Sequence, residues 1–344
     1  MKRIILLIIF VLTILIPLND ILAAEQINVV TTITDYAYFA KEIGKEKVNV
    51  YSICQGDENA HYVRPKPSFI KICQTADLFI GTGLDLELWV PDLLEKSANK
   101  NIQSGQKGYV AAADGAKMLD IPAVLSRSEG GLHVYGNPHI TVGPLNAFNI
   151  MENILIGLKK VSPDNASFFE KNYNNLKEKL IEALYGKQLP GIIEPQTLIE
   201  LTYNGKLIDF LNENKLKGVP LIEKLDGWMK KAMPLRGKKI VTYHKSWIYF
   251  TSIFGIEAVA EVEPKPGIPP TPKHTLEVID IIKKENIKLI LSENFYDIQK
   301  VNFIAEKTGI KAVIVPVYVN GEPGADTYFK LVDIWLDRLL RAAN

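Results

Sequence analysis

The sequence predicts an α/β protein of two lobes, each a parallel sheet flanked by helices, bridged by a long rigid helix. Three observations predict this fold. The chain has 344 residues, enough for two domains of ordinary size. Short β-branched segments alternate with helical segments in both halves, and a long helical pattern lies between them. This alternation is typical of parallel sheets, because parallel strands need crossover connections.

The first segment, residues 1–24, has the layout of a secretory signal peptide. Lys2 and Arg3 precede an apolar run over residues 4–18, and Ala23-Ala24 resembles a cleavage site. The run is about fifteen residues long, short of the roughly twenty that a membrane anchor needs. We therefore expect cleavage near Glu25 and a periplasmic protein. No cysteine lies near the junction, so lipid attachment there is not expected.

The first lobe is predicted over residues 25–143. Apolar and β-branched stretches predict strands, and segments with helical spacing separate them. The predicted strands cover residues 27–32, 48–53 and 78–81, and the predicted helices cover residues 37–43 and 68–75.

Linking helices are predicted over residues 144–186. Apolar residues keep three-and-four spacing from Ala147 to Leu158, and Ser162-Pro163 is a typical helix start. A helix from Ser162 to Tyr185 would be about 36 Å long at 1.5 Å per residue. It is long enough to run along both lobes and to limit their movement.

The second lobe is predicted over residues 187–344 and repeats the pattern of the first. Its predicted strands cover residues 239–243, 258–262, 289–291 and 312–315, and its predicted helices include residues 276–285 and 301–308. Residues 187–236 break this pattern with scattered prolines and glycines, which indicates an insertion or a segment that joins the lobes.

The composition fits a folded, water-soluble protein. Hydrophobic residues make up 47% and charged residues 23% of the chain, which excludes a disordered chain and a polytopic membrane protein. A formal charge of +1 argues against nucleic acid as a partner, because nonspecific phosphate binding needs a basic surface. Cys54 and Cys73 are the two cysteines, and in an oxidising compartment they form either a disulfide or two buried thiols.

Three histidines stand at element boundaries that we expect to face one cleft. His61 follows the second predicted strand, His139 follows a turn-rich segment, and His244 ends the first predicted strand of the second lobe. Loops at the carboxyl ends of parallel strands face the ligand crevice. Three imidazoles suit Zn²⁺ better than Mg²⁺ or Ca²⁺, which prefer oxygen ligands. The sequence therefore predicts a transition-metal site.

Glu293 is the predicted fourth ligand, because it follows a strand of the second lobe at a position comparable to that of His244. His133 lies six positions before His139, and we interpret it as a loop residue rather than as an extra ligand. His274 stands at the start of a predicted helix and is left outside the site.

Several motifs occur together in this chain. Three of them contain the histidines: Asn59-Ala60-His61, Tyr135-Gly136-Asn137-Pro138-His139 and Thr242-Tyr243-His244-Lys245-Ser246-Trp247. The others are Ala76-Asp77-Leu78, Gly83-Leu84-Asp85-Leu86-Glu87 and Glu263-Pro264-Lys265-Pro266-Gly267-Ile268-Pro269-Pro270. With these motifs the chain resembles the metal-binding solute-binding proteins of bacterial ABC importers for zinc and manganese, over residues 27 to about 340.

The resemblance implies two α/β lobes bridged by a long helix, with a metal in the cleft between them. It places the family's three histidine ligands on His61, His139 and His244. The aspartate ligand of many members aligns with Pro316-Val317-Tyr318, which has no carboxylate. Glu293, a solvent molecule or Asp326 is left to complete the shell, and Glu293 ranks first.

Two functions follow as hypotheses. In the first, a monomeric carrier captures Zn²⁺, or else Mn²⁺ or Fe²⁺, and delivers it to an ABC membrane permease with a cytoplasmic ATPase, without chemical change. In the second, an exported zinc hydrolase holds zinc with three histidines and uses Glu293 as general base. The resemblance covers both lobes of a transport protein and favours the carrier.

Overall fold

The computed structural model describes residues 26–122, 133–265 and 267–343. The predicted signal peptide therefore lies outside the described residues. Within them, no helix combines the length and the apolar character needed to cross a bilayer.

The first half contains a four-stranded sheet whose paired strands are all parallel. The predicted alternation of strands and helices is confirmed, with boundaries that differ by at most three residues. The strands are β1 (Ile27–Thr31), β2 (Val48–Ser52), β3 (Leu78–Gly81) and β4 (Tyr109–Ala111), in the order β2-β1-β3-β4, and the helices are α1 (Thr34–Gly44), α2 (Pro67–Gln74) and α3 (Val90–Ser97). Helix α3 and strand β4 were not predicted, and β4, with three residues, is too short for a periodic pattern.

Two long helices follow, α4 (Asn146–Val161) and α5 (Ala166–Tyr185), separated by a 3-10 turn at Pro163–Asn165. The predicted long helix is therefore shorter than expected, since its first turn is 3-10, and α5 spans about 30 Å. Residues 187–236 contain short elements: α6 (Pro195–Tyr203), α7 (Leu207–Glu213), β5 (Lys215–Leu216), β6 (Val219–Pro220) and α8 (Gly227–Lys231). Helix α5 packs against α1 and α4 on one side and against α8 on the other, so it bridges the halves.

The second half repeats the first. Its strands are β7 (Lys239–Thr242), β8 (Glu257–Glu261), β9 (Leu289–Glu293) and β10 (Lys311–Val315), and its helices are α9 (Ile248–Phe254), α10 (Pro272–Lys284), α11 (Ile298–Thr308) and α12 (Tyr328–Ala343). The parallel sheet has the order β8-β7-β9-β10. Counted within its own half, each sheet therefore has the strand order 2-1-3-4.

The two halves pack directly on each other. One apolar cluster contains buried residues from the first half, from the linking helices and from the second half. The cluster does not separate these segments, so the domain boundaries predicted at residues 143 and 186 stay a prediction. A Cβ atom on Gly56 would lie 2.4 Å from the backbone nitrogen of Gly321, so the backbones of the two loops approach each other closely at this point. The Tyr328 hydroxyl donates to the carbonyl oxygen of Thr141 at 2.7 Å. These contacts fix the spacing of the cleft.

Both cysteines are buried and free in the part of the chain that the structure describes. Cys54 belongs to the apolar cluster shared by the halves, whereas Cys73 belongs to a smaller cluster within the first half. Of the two alternatives left open by the sequence, the structure has the pair of buried thiols.

Candidate metal centre

His61 lies in the loop that follows β2, within a 3-10 turn at Ala60–Tyr62. The side chain of Asn59 caps this turn, accepting from the His61 backbone N–H at 3.0 Å. The Trp89 indole donates to the carbonyl oxygen of Ala60 at 2.8 Å. Both contacts fix the backbone of the turn from which the His61 imidazole extends.

His139 is held by Asn137, two residues earlier. The Asn137 Oδ1 atom accepts from the His139 backbone N–H at 3.1 Å and lies 2.9 Å from Nδ1 of the ring. The Asn137 amide donates to the carbonyl oxygen of Lys245 at 2.6 Å, which ties this histidine to the second half. One buried amide therefore orients His139 and joins the two sides of the cleft.

His244 follows β7 and is 3% exposed. Its Nδ1 atom contacts the carboxylate of Glu263, whose other oxygen accepts from the Gly267 backbone N–H at 2.8 Å. Glu263 and Gly267 belong to the proline-rich motif noted in the sequence. A carboxylate that accepts from Nδ1–H fixes the tautomer with Nε2 unprotonated, which is the form that binds metals.

His133 joins these three rings. Its Nδ1 atom lies 3.0 Å from Oδ1 of Asp85, and its ring stacks on His61 with centroids 5.4 Å apart. The sequence interpretation of His133 as a loop residue holds for its backbone, which lies outside helices and strands. Its side chain, however, points to the other histidines, which the sequence did not predict.

The four histidines form one compact group. One nitrogen of each ring lies within 4.8 Å of the others, and the two Nε2 atoms of His61 and His139 are 3.0 Å apart. The Nε2 atoms of His133 and His244 are buried and have no hydrogen-bond partner among the described residues. Nitrogens that surround Zn²⁺ tetrahedrally at 2.0–2.1 Å lie about 3.3 Å apart. Because unpaired buried polar atoms are costly, the group fits a cation at its centre.

Comparison with known proteins identifies the family. The family described as "ZnuA: Zinc-uptake complex component A periplasmic" matches residues 29–185 and 209–342, most of the chain. The chain belongs to the ZnuA family. The gap between the matched segments, residues 186–208, overlaps the stretch 187–236 that the sequence indicated as an insertion or a segment joining the lobes.

Two curated relatives and one solved structure extend this finding. The zinc-binding lipoprotein AdcA of Streptococcus pneumoniae serotype 4 is 24% identical over 305 residues, covering 86% of this chain but 51% of AdcA, so the chain spans about half of that relative. The iron-binding protein YfeA of Yersinia pestis is 25% identical, covering 92% of this chain and 86% of YfeA. A crystal structure of ZnuA superimposes with a TM-score of 0.67 at 17% identity, covering 93% of this chain and all of that one, which confirms the fold.

The pKa values of the buried rings in this ZnuA-family protein are low. Burial, followed by the neighbouring rings of His244 and His133, lowers the pKa of His61 from 6.5 to about 3. Burial and the other three rings hold the pKa of His139 well below 6.5. Both imidazoles are therefore neutral at physiological pH, which is the state that metal ligation requires.

Glu293, the predicted fourth ligand, is not a member of the histidine group. It is 1% exposed at the end of β9, where one carboxylate oxygen accepts from the Ser246 hydroxyl and the other has no partner in the described residues. Burial raises its pKa to about 7, against the lowering effects of His244 and Ser246. Asp326, the other candidate, lies on the surface, 2.8 Å from the Lys330 ammonium.

The sequence contained one indication of the role of His133. The segment from His133 to His139 holds two of the five histidines of the chain within seven residues. Gly136 and Pro138 suppressed any periodic pattern that could have placed the side chain. The contact with Asp85, 48 positions away, was not visible in the sequence.

Proposed function

We propose that this ZnuA-family protein captures Zn²⁺ between its two halves with His61, His133, His139 and His244, and delivers the ion to an ABC membrane permease with a cytoplasmic ATPase. The observation that carries this proposal is the approach of four ring nitrogens to within 4.8 Å of one another. Neither Glu293 nor Asp326 is needed to complete four-fold coordination.

Zinc fits this donor set better than manganese. Imidazole is a borderline donor that suits Zn²⁺ and Fe²⁺, whereas Mn²⁺ favours carboxylate, carbonyl and water oxygens. The relatives carry names for zinc, for iron and for manganese, so the preference rests on the donor set and not on these names. Four neutral imidazoles bring no charge, and the carboxylates of Asp85 and Glu263, each in contact with one ring, supply the two negative charges that balance a divalent cation.

A carrier explains the site better than a zinc hydrolase. Hydrolytic zinc sites keep an open position for water, whereas four protein ligands close the tetrahedral shell. The proposed general base, Glu293, accepts from Ser246 and lies outside the histidine group. The comparisons give the hydrolase no support.

The proposed location is the periplasm, and the proposed partner is the permease of the importer. The family description contains the word periplasmic, and the sequence begins with the features of a signal peptide. All four rings lie in one chain, so the proposed carrier needs no second copy to complete its site.

Metal analysis of the purified protein tests the proposal. We expect one equivalent of zinc per chain, and a much higher affinity for Zn²⁺ than for Mn²⁺ in competition with a chromophoric chelator. The variant with Ala at His61, His139 and His244 should lose this zinc, while His274→Ala, a histidine outside the group whose Nε2 lies 2.9 Å from the Glu261 carbonyl oxygen, serves as the matched control. Stoichiometric zinc in the triple variant would contradict the proposal.

A further inference from the structure

The loop between β3 and α3 contains Gly83-Leu84-Asp85-Leu86-Glu87, a motif that the proposed ligand set does not use. Gly83 has φ +82°, and a Cβ atom on it would lie 2.3 Å from Cβ of Ala111 on β4. Only glycine fits this turn against the neighbouring strand. The turn therefore sets the direction in which the chain reaches Asp85 two residues later.

Asp85 uses both oxygens of its carboxylate on the same loop. Its Oδ1 atom lies 3.0 Å from Nδ1 of His133, and its Oδ2 atom accepts from the backbone N–H of Val134 at 3.2 Å. The Asp85 and His133 side chains are 16% and 12% exposed, so little water competes for these contacts. One contact orients the ring and the other fixes the backbone beside it.

The two contacts have a chemical consequence for the ring. Because the Asp85 carboxylate accepts a hydrogen bond from Nδ1–H of His133, the proton of the neutral ring lies on Nδ1 and the lone pair lies on Nε2. This Nε2 atom is buried without a partner in the ranges that the structure describes. The carboxylate thus prepares a nitrogen donor that faces the other three histidines.

His133 differs from the other ligands in what holds it. The backbone of His61 is fixed by a capped 3-10 turn, and His244 directly follows β7. His133 lies outside helices and strands, and Asp85 contacts both Nδ1 of its ring and the backbone N–H of the next residue, Val134. The position of this ligand therefore depends on one carboxylate from a different loop.

We propose that Asp85 is the positioning residue that brings His133 into the metal shell, and that it thereby decides whether the ion is bound by three nitrogens or by four. This inference rests on the proposed four-histidine site. Partners of ligating histidines typically contribute 10- to 100-fold to metal affinity. Asp85→Asn would keep one acceptor oxygen, but its NH₂ group would face either Nδ1–H of His133 or the backbone N–H of Val134. This variant should therefore hold His133 in place only in part.

The test compares Asp85→Ala, Asp85→Asn and His133→Ala in the full chain, loaded with Co²⁺ for spectroscopy and with Zn²⁺ for affinity. Asp92→Ala is the matched control, because Asp92 is a half-exposed acid of the same half whose partner is Lys96. We expect Asp85→Ala to weaken zinc binding by about 10- to 100-fold. Its Co²⁺ visible spectrum should change to that of His133→Ala, and the double variant should show no further change.

The outcomes separate the two proposals. A D85A protein that keeps the wild-type spectrum and affinity, while H133A loses both, would overturn the role of Asp85 and leave the four-histidine site standing. An H133A protein with the wild-type spectrum would show that there is no fourth nitrogen to position and would overturn the role as well. Failure of the wild-type chain to bind zinc would instead refute the proposed function. D85N provides the same comparison with a nearly isosteric side chain if D85A does not fold.

Discussion

The two halves have the same strand order, and each places a buried acid beside its central strands. In the first half, Glu87 follows the third strand and accepts from the hydroxyls of Thr32 and Thr82, each at 2.7 Å. In the second half, Glu293 ends the third strand and accepts from the hydroxyl of Ser246. In each half, the acid thus bonds to a hydroxyl side chain that comes shortly after the first strand: Thr32 after β1 and Ser246 after β7.

The proposed metal ligands do not follow this repeat. The second half contributes His244, directly after its first strand, whereas the first half contributes three rings from the loop after β2 and from residues 133–139. Glu293 therefore resembles Glu87, which accepts from two hydroxyls and from the backbone N–H of Thr82. Both halves thus share a strand order and a buried acid. The histidines, in contrast, come from positions in one half that have no equivalent in the other.

Removing one ligand from either half should have the largest effect. If both halves bind one ion, H139A and H244A should each weaken zinc binding by about 100-fold or more, since structural zinc gains roughly 10–16 kcal/mol from four ligands. Competition titration with a zinc chelator measures the loss, with H274A as control. Unchanged affinity in H244A would mean that the first half binds the ion alone.

Two substitutions test whether Glu293 or His133 completes the shell. We expect H133A to weaken zinc binding by up to about 100-fold, as loss of a ligand should. E293Q should leave the affinity within about threefold of wild type, because this carboxyl bonds to Ser246 rather than to the ion. The reverse ranking of the two variants would restore the carboxylate as the fourth ligand.

The contact between the halves is tested by Gly56→Ala. The new methyl group would lie 2.4 Å from backbone atoms of Val319 and Gly321, which cannot move aside as a flexible side chain can. Overpacking of this kind typically costs about 1–3 kcal/mol of unfolding free energy, which urea denaturation measures. Gly191→Ala is the control, since nothing lies within 4 Å of a Cβ atom there. Equal unfolding free energies of the two variants would contradict the close contact between the halves at Gly56.

The smallest expected effect concerns the pH dependence of stability. Burial raises the pKa of Glu87 above 4.5, although its hydrogen bonds with Thr32 and Thr82 oppose the shift. The stability contributed by the protonated carboxyl is fully present below pH 4.5 and is lost as the pH rises through the folded pKa. Stability of E87Q relative to wild type should therefore increase with pH in urea unfolding. A difference that does not vary with pH would contradict the raised pKa.

The sequence predicted the fold and three of the four histidines of the group. Strands such as β3, which is buried along its whole length, leave a continuous apolar pattern that can be read directly. His61 lies in the loop that follows β2 and His244 lies just after β7, and loops at the carboxyl ends of parallel strands face the crevice. His133 was missed because its place depends on a long-range contact with Asp85, and β4 was missed because it is short. Periodicity describes elements, whereas loop side chains are positioned by tertiary contacts.

Anomalous diffraction at the zinc absorption edge, from crystals of the zinc-loaded chain, tests the central claim most directly. The account predicts one peak between the halves, with the four imidazole nitrogens of His61, His133, His139 and His244 about 2.0–2.1 Å away. A peak bound by the Glu293 carboxylate with His133 turned away, or a peak bound by only one half, would contradict it.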